Sequence, residues 1–258
     1  MPRRTRQRST EVASGEERYQ EFAPPPALRP FVRVIWTYAA PDPSPTIQRI
    51  APDGCPELIF DLGAPYAEQG DDGEFRLQPS ALFAGQMTRP LVMRPTGLTE
   101  LVAVRFEPDG ARGFLGRSLS EATDRRLDMV ERLAGFVAPT GDPKGQVAAI
   151  AAWLEAQVRA SDWTIDPAIR AEIEGAAAER PAPARSPSGQ RALQRRFADR
   201  VGGIAAPATF DLSLSPRVRS CRRPGQGRNL ARGRAGGRLF RSAADGARLP
   251  TLPGLHRH

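Results

Sequence analysis

Phe31-Val-Arg-Val-Ile-Trp-Thr-Tyr38 decides the architecture of the first half of this chain. Branched and aromatic side chains fill it, and such residues fit the pleated, half-buried surface of a sheet. Thr46-Ile-Gln-Arg-Ile50, Glu57-Leu-Ile-Phe-Asp-Leu62 and Leu101-Val-Ala-Val-Arg-Phe106 repeat the pattern, separated by clusters of Pro, Gly and Asp. Short strands punctuated in this way predict antiparallel sheet closed as a barrel or stacked as a sandwich. Tyr66–Phe75, with Gly70-Asp-Asp-Gly73 inside it, reads as a hairpin or loop.

Beyond Asp109 the apolar period changes. Ala111–Leu115 and Asp128–Phe136 read as short helices, and Gln146–Ala160 as a longer one with Ile150, Trp153, Leu154 and Val158 on one side. Asp166-Pro167 opens a further helix expected to reach about Glu179, since Asp caps and Pro suits the first turn. Pro181-Ala-Pro-Ala-Arg-Ser-Pro187 then interrupts, because proline removes donors. The expected whole is α+β. A disordered basic arm (1–18) precedes a β-rich, barrel-like sensory or dimerisation domain (19–115). A helical segment (116–180), a partial helix-turn-helix (181–202) and a disordered basic tail (203–258) follow.

The 258 residues carry a formal charge of +8, unevenly spread. Residues 1–202 hold 26 basic and 27 acidic side chains, whereas residues 203–258 hold 11 Arg against Asp211 and Asp245. The folded part is thus nearly neutral, and its charge alone does not announce a nucleic-acid partner. Lys144 is the single lysine, a bias that GC-rich coding explains. No stretch approaches the roughly 18 apolar residues of a membrane span, so no membrane partner is expected. Met1-Pro-Arg-Arg-Thr-Arg-Gln-Arg8 lacks the apolar centre of a signal peptide. Cys55 and Cys221, far apart, suggest neither a metal site nor a disulfide framework. These features predict a cytoplasmic protein.

Arg191-Ala-Leu-Gln-Arg-Arg-Phe-Ala-Asp-Arg-Val-Gly202 is the stretch closest to a function. Leu193, Phe197 and Val201 fall at i, i+4 and i+8 and form one apolar stripe. Arg191, Gln194, Arg195 and Arg200 project elsewhere. Arg pairs bidentately with guanine and Gln with adenine, and both hold phosphates. On pattern alone a solvated amphipathic helix is the commoner reading.

Three upstream segments shift that balance: Pro52-Asp-Gly-Cys-Pro-Glu-Leu-Ile-Phe-Asp-Leu-Gly63, Phe83-Ala-Gly-Gln-Met-Thr-Arg-Pro90, and Val104-Arg-Phe-Glu-Pro-Asp-Gly-Ala111 leading to Phe114-Leu-Gly116. In this order they resemble the N-terminal domain of uncharacterised function found on a branch of AraC/XylS-type transcriptional regulators. Leu193-Gln-Arg-Arg-Phe197 with Val201-Gly202 is similar to the end of that family's first helix-turn-helix. The resemblance spans roughly 19–202. It implies double-stranded DNA as partner, a small-molecule effector, a homodimer, and DNA contact through Arg191, Gln194 and Arg195.

The chain departs from the family in two places. Pro181–Pro187 stands where the first unit has a supporting helix, and nothing after Gly202 resembles the second unit. A frame shifted by one base near Gly203 would account for the loss. With permitted codons, Asn229–Arg248 re-reads to a string containing Ala-Gly-Tyr-Phe-Asp-Gln, the turn into the family's second reading helix. DNA binding by the chain as written is therefore expected to be impaired.

Enzymatic readings fare poorly. A metal-dependent enzyme on a β-barrel needs two or three histidines, and the only ones are His256 and His258. Neither a catalytic residue, a metal nor a cofactor is expected. Cys55 beside Pro56 has no histidine base and reads as a buried cysteine. Asp53, Glu57 and Asp61 share one strand face, more commonly a solvated one. Arg105 and Glu107 are candidates for a barrel mouth lined by Trp36, Phe60 and Phe106, although strand aromatics are usually core. The alternative to a regulator is a ligand-binding or dimerising module with an unspecific basic tail.

Overall fold

The computed structural model describes residues 18–40, 47–133, 135–136, 142–178 and 186–203. The expected arm (1–17) and tail (204–258) lie outside them, as do residues 179–185 of the proline-rich interruption. The decisive stretch becomes β2 (Val32–Ala40). It lies in a six-stranded antiparallel sheet of order β1-β2-β9-β4-β7-β10. The others are β1 (Arg18–Phe22), β4 (Glu57–Asp61), β7 (Ala81–Ala84), β9 (Thr99–Phe106) and β10 (Arg126–Asp128). A second sheet has the order β3-β8-β5-β6, formed by β3 (Gln48–Ile50), β8 (Leu91–Arg94), β5 (Ala67–Gln69) and β6 (Phe75–Leu77). The Tyr66–Phe75 segment is the β5–β6 hairpin, with Ala67 opposite Leu77.

The β-rich expectation holds, but the barrel is not closed. β1 and β10 are the edges of the larger sheet, and no pairing among the described residues joins either to the smaller one. Pro79 follows β6, while Pro90 and Pro95 flank β8. Pro79 thus removes a donor just beyond the edge strand β6, whereas β8 is an interior strand paired with both β3 and β5.

Strand alternation sorts the larger sheet into two faces. Leu58, Phe60, Ala81, Phe83, Val102, Val104 and Phe106 form the main core on one face. Helix α2 (Pro143–Ala160) covers it with Val147, Ile150, Ala151 and Leu154. Its N-cap is Asp142, whose carboxylate accepts from the Gly145 amide. The short α1 (Arg112–Leu115) adds Phe114 and Leu115 to the same core.

The sheet continues past the boundary expected at 115, since β10 pairs with β7. The helix expected over Asp128–Phe136 is not formed. Met129, Leu133 and Phe136 do have helical spacing and do face the core. However, the Met129 amide donates to the Ala81 carbonyl, extending the strand pairing, and the Asp128 carboxylate takes the Val130 amide. Turns follow.

Helix α3 (Pro167–Ala177) starts where expected, with the Asp166 carboxylate accepting from the Ala168 and Ile169 amides. Helix α4 (Pro187–Val201) packs on it through a second apolar cluster of Ile169, Ile173, Ala176, Leu193, Phe197 and Val201.

Candidate functional site

Helix α4 begins inside the stretch expected to interrupt. Ser186 caps it, its hydroxyl accepting from the Gly189 amide at 3.2 Å, and Pro187 occupies the first turn. Leu193, Phe197 and Val201 are buried, as the stripe predicts. The polar side chains divide into two sets. Arg196 pairs with the Asp166 carboxylate at the α3 cap, Nε to Oδ2 2.8 Å. Asp199 accepts from Arg112 of α1 at 3.1 Å, and Arg200 donates to the Thr164 carbonyl at 2.8 Å. Arg200 therefore joins the anchoring set, not the outward one. Arg191, Gln194 and Arg195 form the other set, one helical turn apart on a shared face. None of the three has a hydrogen bond or ion pair with another described residue, and both arginines are exposed.

α3 packs on α4 as a supporting helix would. The connection, residues 178–186, is longer than the roughly 3–4-residue turn of a helix-turn-helix. The pair is thus a helical hairpin with one free basic face, and not a tight unit.

Residues of the three motif segments are tied to one another. Glu57 and Arg105 are directly opposed across β4 and β9, with Arg105 Nε donating to Glu57 Oε1 at 2.7 Å. Trp36 Nε1 donates to the same oxygen at 3.1 Å, and Arg105 also reaches Asp53 at 3.4 Å. Burial raises the Glu57 pKa; Arg105 opposes this, and Asp53 reinforces it. Asp53 and Glu57 are thus not the solvated carboxylates of the commoner expectation. Asp61, third in that alternation, is pushed up to about 6 by burial, against hydrogen bonds from the Gly63 and Tyr66 backbone.

Glu107 binds Arg33 at 2.7 Å, and Asp109 holds Arg170 of α3 through both carboxylate oxygens. Phe60 and Phe106 belong to the core and line no mouth. Gly85 of the second segment backs onto Ala122, whose carbonyl oxygen would lie 1.9 Å from any Cβ. Gln86 is buried and donates to the Gly54 carbonyl. Most of these residues lock strands and helices together, which is a structural role. Cys55 is buried and carries no free thiol; Cys221 lies outside the described residues.

A half-open cavity of about 350 Å³ lies beside α1 and α2, lined by Phe114, Phe136, Trp153 and Trp163 together with the polar Arg132, Gln157 and Ser161. Phe136 and Trp153 stack at 4.8 Å, and Phe114 meets Trp163 edge-on at 6.1 Å. Sequence reasoning placed Trp153 on a helix face but missed the cavity, because its lining comes from separate segments.

No helix among the described residues is long and apolar enough to cross a membrane. Neither a curated protein nor a solved structure matches the chain. Residues 20–128, from within β1 to the end of β10, match the model of a domain of unknown function, DUF6597.

Proposed function

We propose that this chain is an AraC/XylS-type transcriptional regulator acting in the cytoplasm, with α4 as its DNA-contacting helix. The DUF6597 domain would receive an effector or hold a homodimer together. The observation that carries the reading is the division of the α4 side chains. Arg196, Asp199 and Arg200 anchor the helix, while Arg191, Gln194 and Arg195 have no partner among the described residues. Those three are the residue types that read guanine and adenine edges and grip phosphates. One such helix without a second reading unit makes fewer contacts than the family norm, so binding is weak and strongly salt-dependent.

The test is selection of the full chain against a pool of random duplex DNA at physiological salt. Enrichment of a defined sequence, lost in the Arg191→Ala/Arg195→Ala double variant, supports the reading. Binding that is sequence-blind and unchanged in the double variant overturns it, favouring the module with an unspecific basic tail. Nucleotide sequencing tests the frame separately: codons that do not give Gly-Tyr-Phe-Asp-Gln in the next frame exclude the shift.

A further inference from the structure

The aromatic cavity has a composition that packing alone does not require. Phe136 and Trp153, backed by the buried rings of Phe114 and Trp163, line one side of it, and a space of about 350 Å³ stays open beside them. That lies within the usual range for small-molecule sites, roughly 300–1,000 Å³. Gly113 keeps a wall in place, because a Cβ there would stand 2.5 Å from the Trp163 ring.

Arg132 sits at the edge. Its guanidinium lies 5.2 Å over the Phe114 ring and donates to the carbonyls of Phe114 and Leu115. These are last-turn carbonyls of α1, so part of the Arg132 role is to cap that helix. Its charge, however, meets no carboxylate among the described residues. The neighbouring cation Arg117 is turned to Glu121 at 3.6 Å. Burial and Arg117 together lower the Arg132 pKa.

We infer that this cavity is a binding site for a small organic anion with a flat apolar body, the body lying against the stacked, partly exposed Phe136–Trp153 pair and the anionic group meeting Arg132. Flat rings stack on aromatic walls, and a carboxylate gains charge-assisted hydrogen bonds from guanidinium. Such a ligand would also touch α1, whose Arg112 ties Asp199 of α4. The site therefore adjoins an element shared with the proposed DNA helix, although its occupancy does not depend on DNA.

Calorimetric titration of the full chain with 1-naphthoate, and with uncharged 1-naphthalenemethanol, tests the inference without DNA present. A charged hydrogen bond is worth roughly 1.5–3 kcal/mol, so naphthoate should bind at least about tenfold tighter. Arg132→Gln should remove that preference. Gly135→Leu, at a lining position where a Cβ meets no atom within 4 Å, should block both ligands without lowering the melting temperature. Equal binding of the two ligands to the unaltered chain, no binding at millimolar concentration, or an undiminished preference in Arg132→Gln would each overturn it.

Discussion

Arg170→Met is the substitution whose cost can be worked out most fully. Arg170 donates to both Asp109 oxygens at 3.0 Å from Nε, and its Nη2 reaches the Pro30 carbonyl at 2.7 Å. The Asp109 side chain is 0% exposed and that of Arg170 20% exposed. Burial raises the Asp109 pKa, and Arg170 opposes the rise by hydrogen bonding and charge. Methionine fills much of the same volume but leaves the carboxylate buried without its counter-ion. Breaking a buried pair in this way costs roughly 3–5 kcal/mol. Protonation sets a ceiling, because at pH 7 taking up a proton from the ordinary value of 3.8 costs about 4 kcal/mol. At pH 5 the same ceiling is about 2 kcal/mol. The orphaned Pro30 carbonyl adds about 1 kcal/mol that does not vary with pH. The sign follows from linkage: a carboxyl whose folded pKa is raised binds more protons folded than unfolded, so stability falls as pH rises. Urea unfolding followed by tryptophan fluorescence should show a loss of about 4 kcal/mol at pH 7 that shrinks by about half at pH 5. Adding Asp109→Asn should restore most of it. A loss that is equal at both pH values, or not relieved by the second substitution, would refute the charge argument.

Asp61→Asn should stabilise the chain by about 1–2 kcal/mol at pH 7, since burial holds the Asp61 pKa up to about 6. The gain should fade as pH drops from about 6 towards 4, where the native carboxyl is already protonated; a gain independent of pH in denaturant titrations would count against it. Gly85→Ala should destabilise by about 3 kcal/mol, at the upper end for overpacking. Its Cβ would meet the Ala122 carbonyl, a backbone atom that cannot step aside. A melting temperature unchanged within a degree would exclude that contact.

The longer elements were legible because one periodic signal dominated each. Val32–Ala40, Glu57–Asp61 and Thr99–Phe106 carry dense branched and aromatic residues. The start of α3 was fixed by Asp166-Pro167, and its capping bonds are those the residue types suggest. Some short strands escaped notice, although Gln48–Ile50 fell within the expected Thr46–Ile50. Arg126–Asp128 becomes a strand only by pairing with Leu82–Ala84, a long-range event with no local mark. The Met129, Leu133 and Phe136 spacing misled because burial of three apolar residues at helical intervals does not require a helix between them. The free face of α4 followed from its stripe, but the role of Arg200 depended on Thr164, a neighbour only after folding. The cavity was illegible for the same reason: Phe114, Arg132, Trp153 and Trp163 share no periodicity.

What seats α4 can be decided by magnitude. The Arg196–Asp166 and Arg112–Asp199 pairs are partly solvated, with side-chain exposures of 53% and 10%, and of 28% and 40%. Pairs so exposed contribute roughly 0–1 kcal/mol each. Leu193, Phe197 and Val201 are at most 8% exposed, and burying such side chains is worth roughly 1.5–3 kcal/mol apiece. The apolar stripe therefore sets where the helix sits and which face it turns inward, and the ion pairs to Asp166 and to Arg112 of α1 add little. At the far end Gly202 lies against the Leu119 carbonyl, and the Gly203 amide donates to the Thr123 hydroxyl at 2.8 Å. All these ties lie on the packed face or towards the C-terminal end. The helix positions of Arg191, Gln194 and Arg195 are consequently fixed, while their side chains, without a partner among the described residues, stay available for the DNA contact we propose.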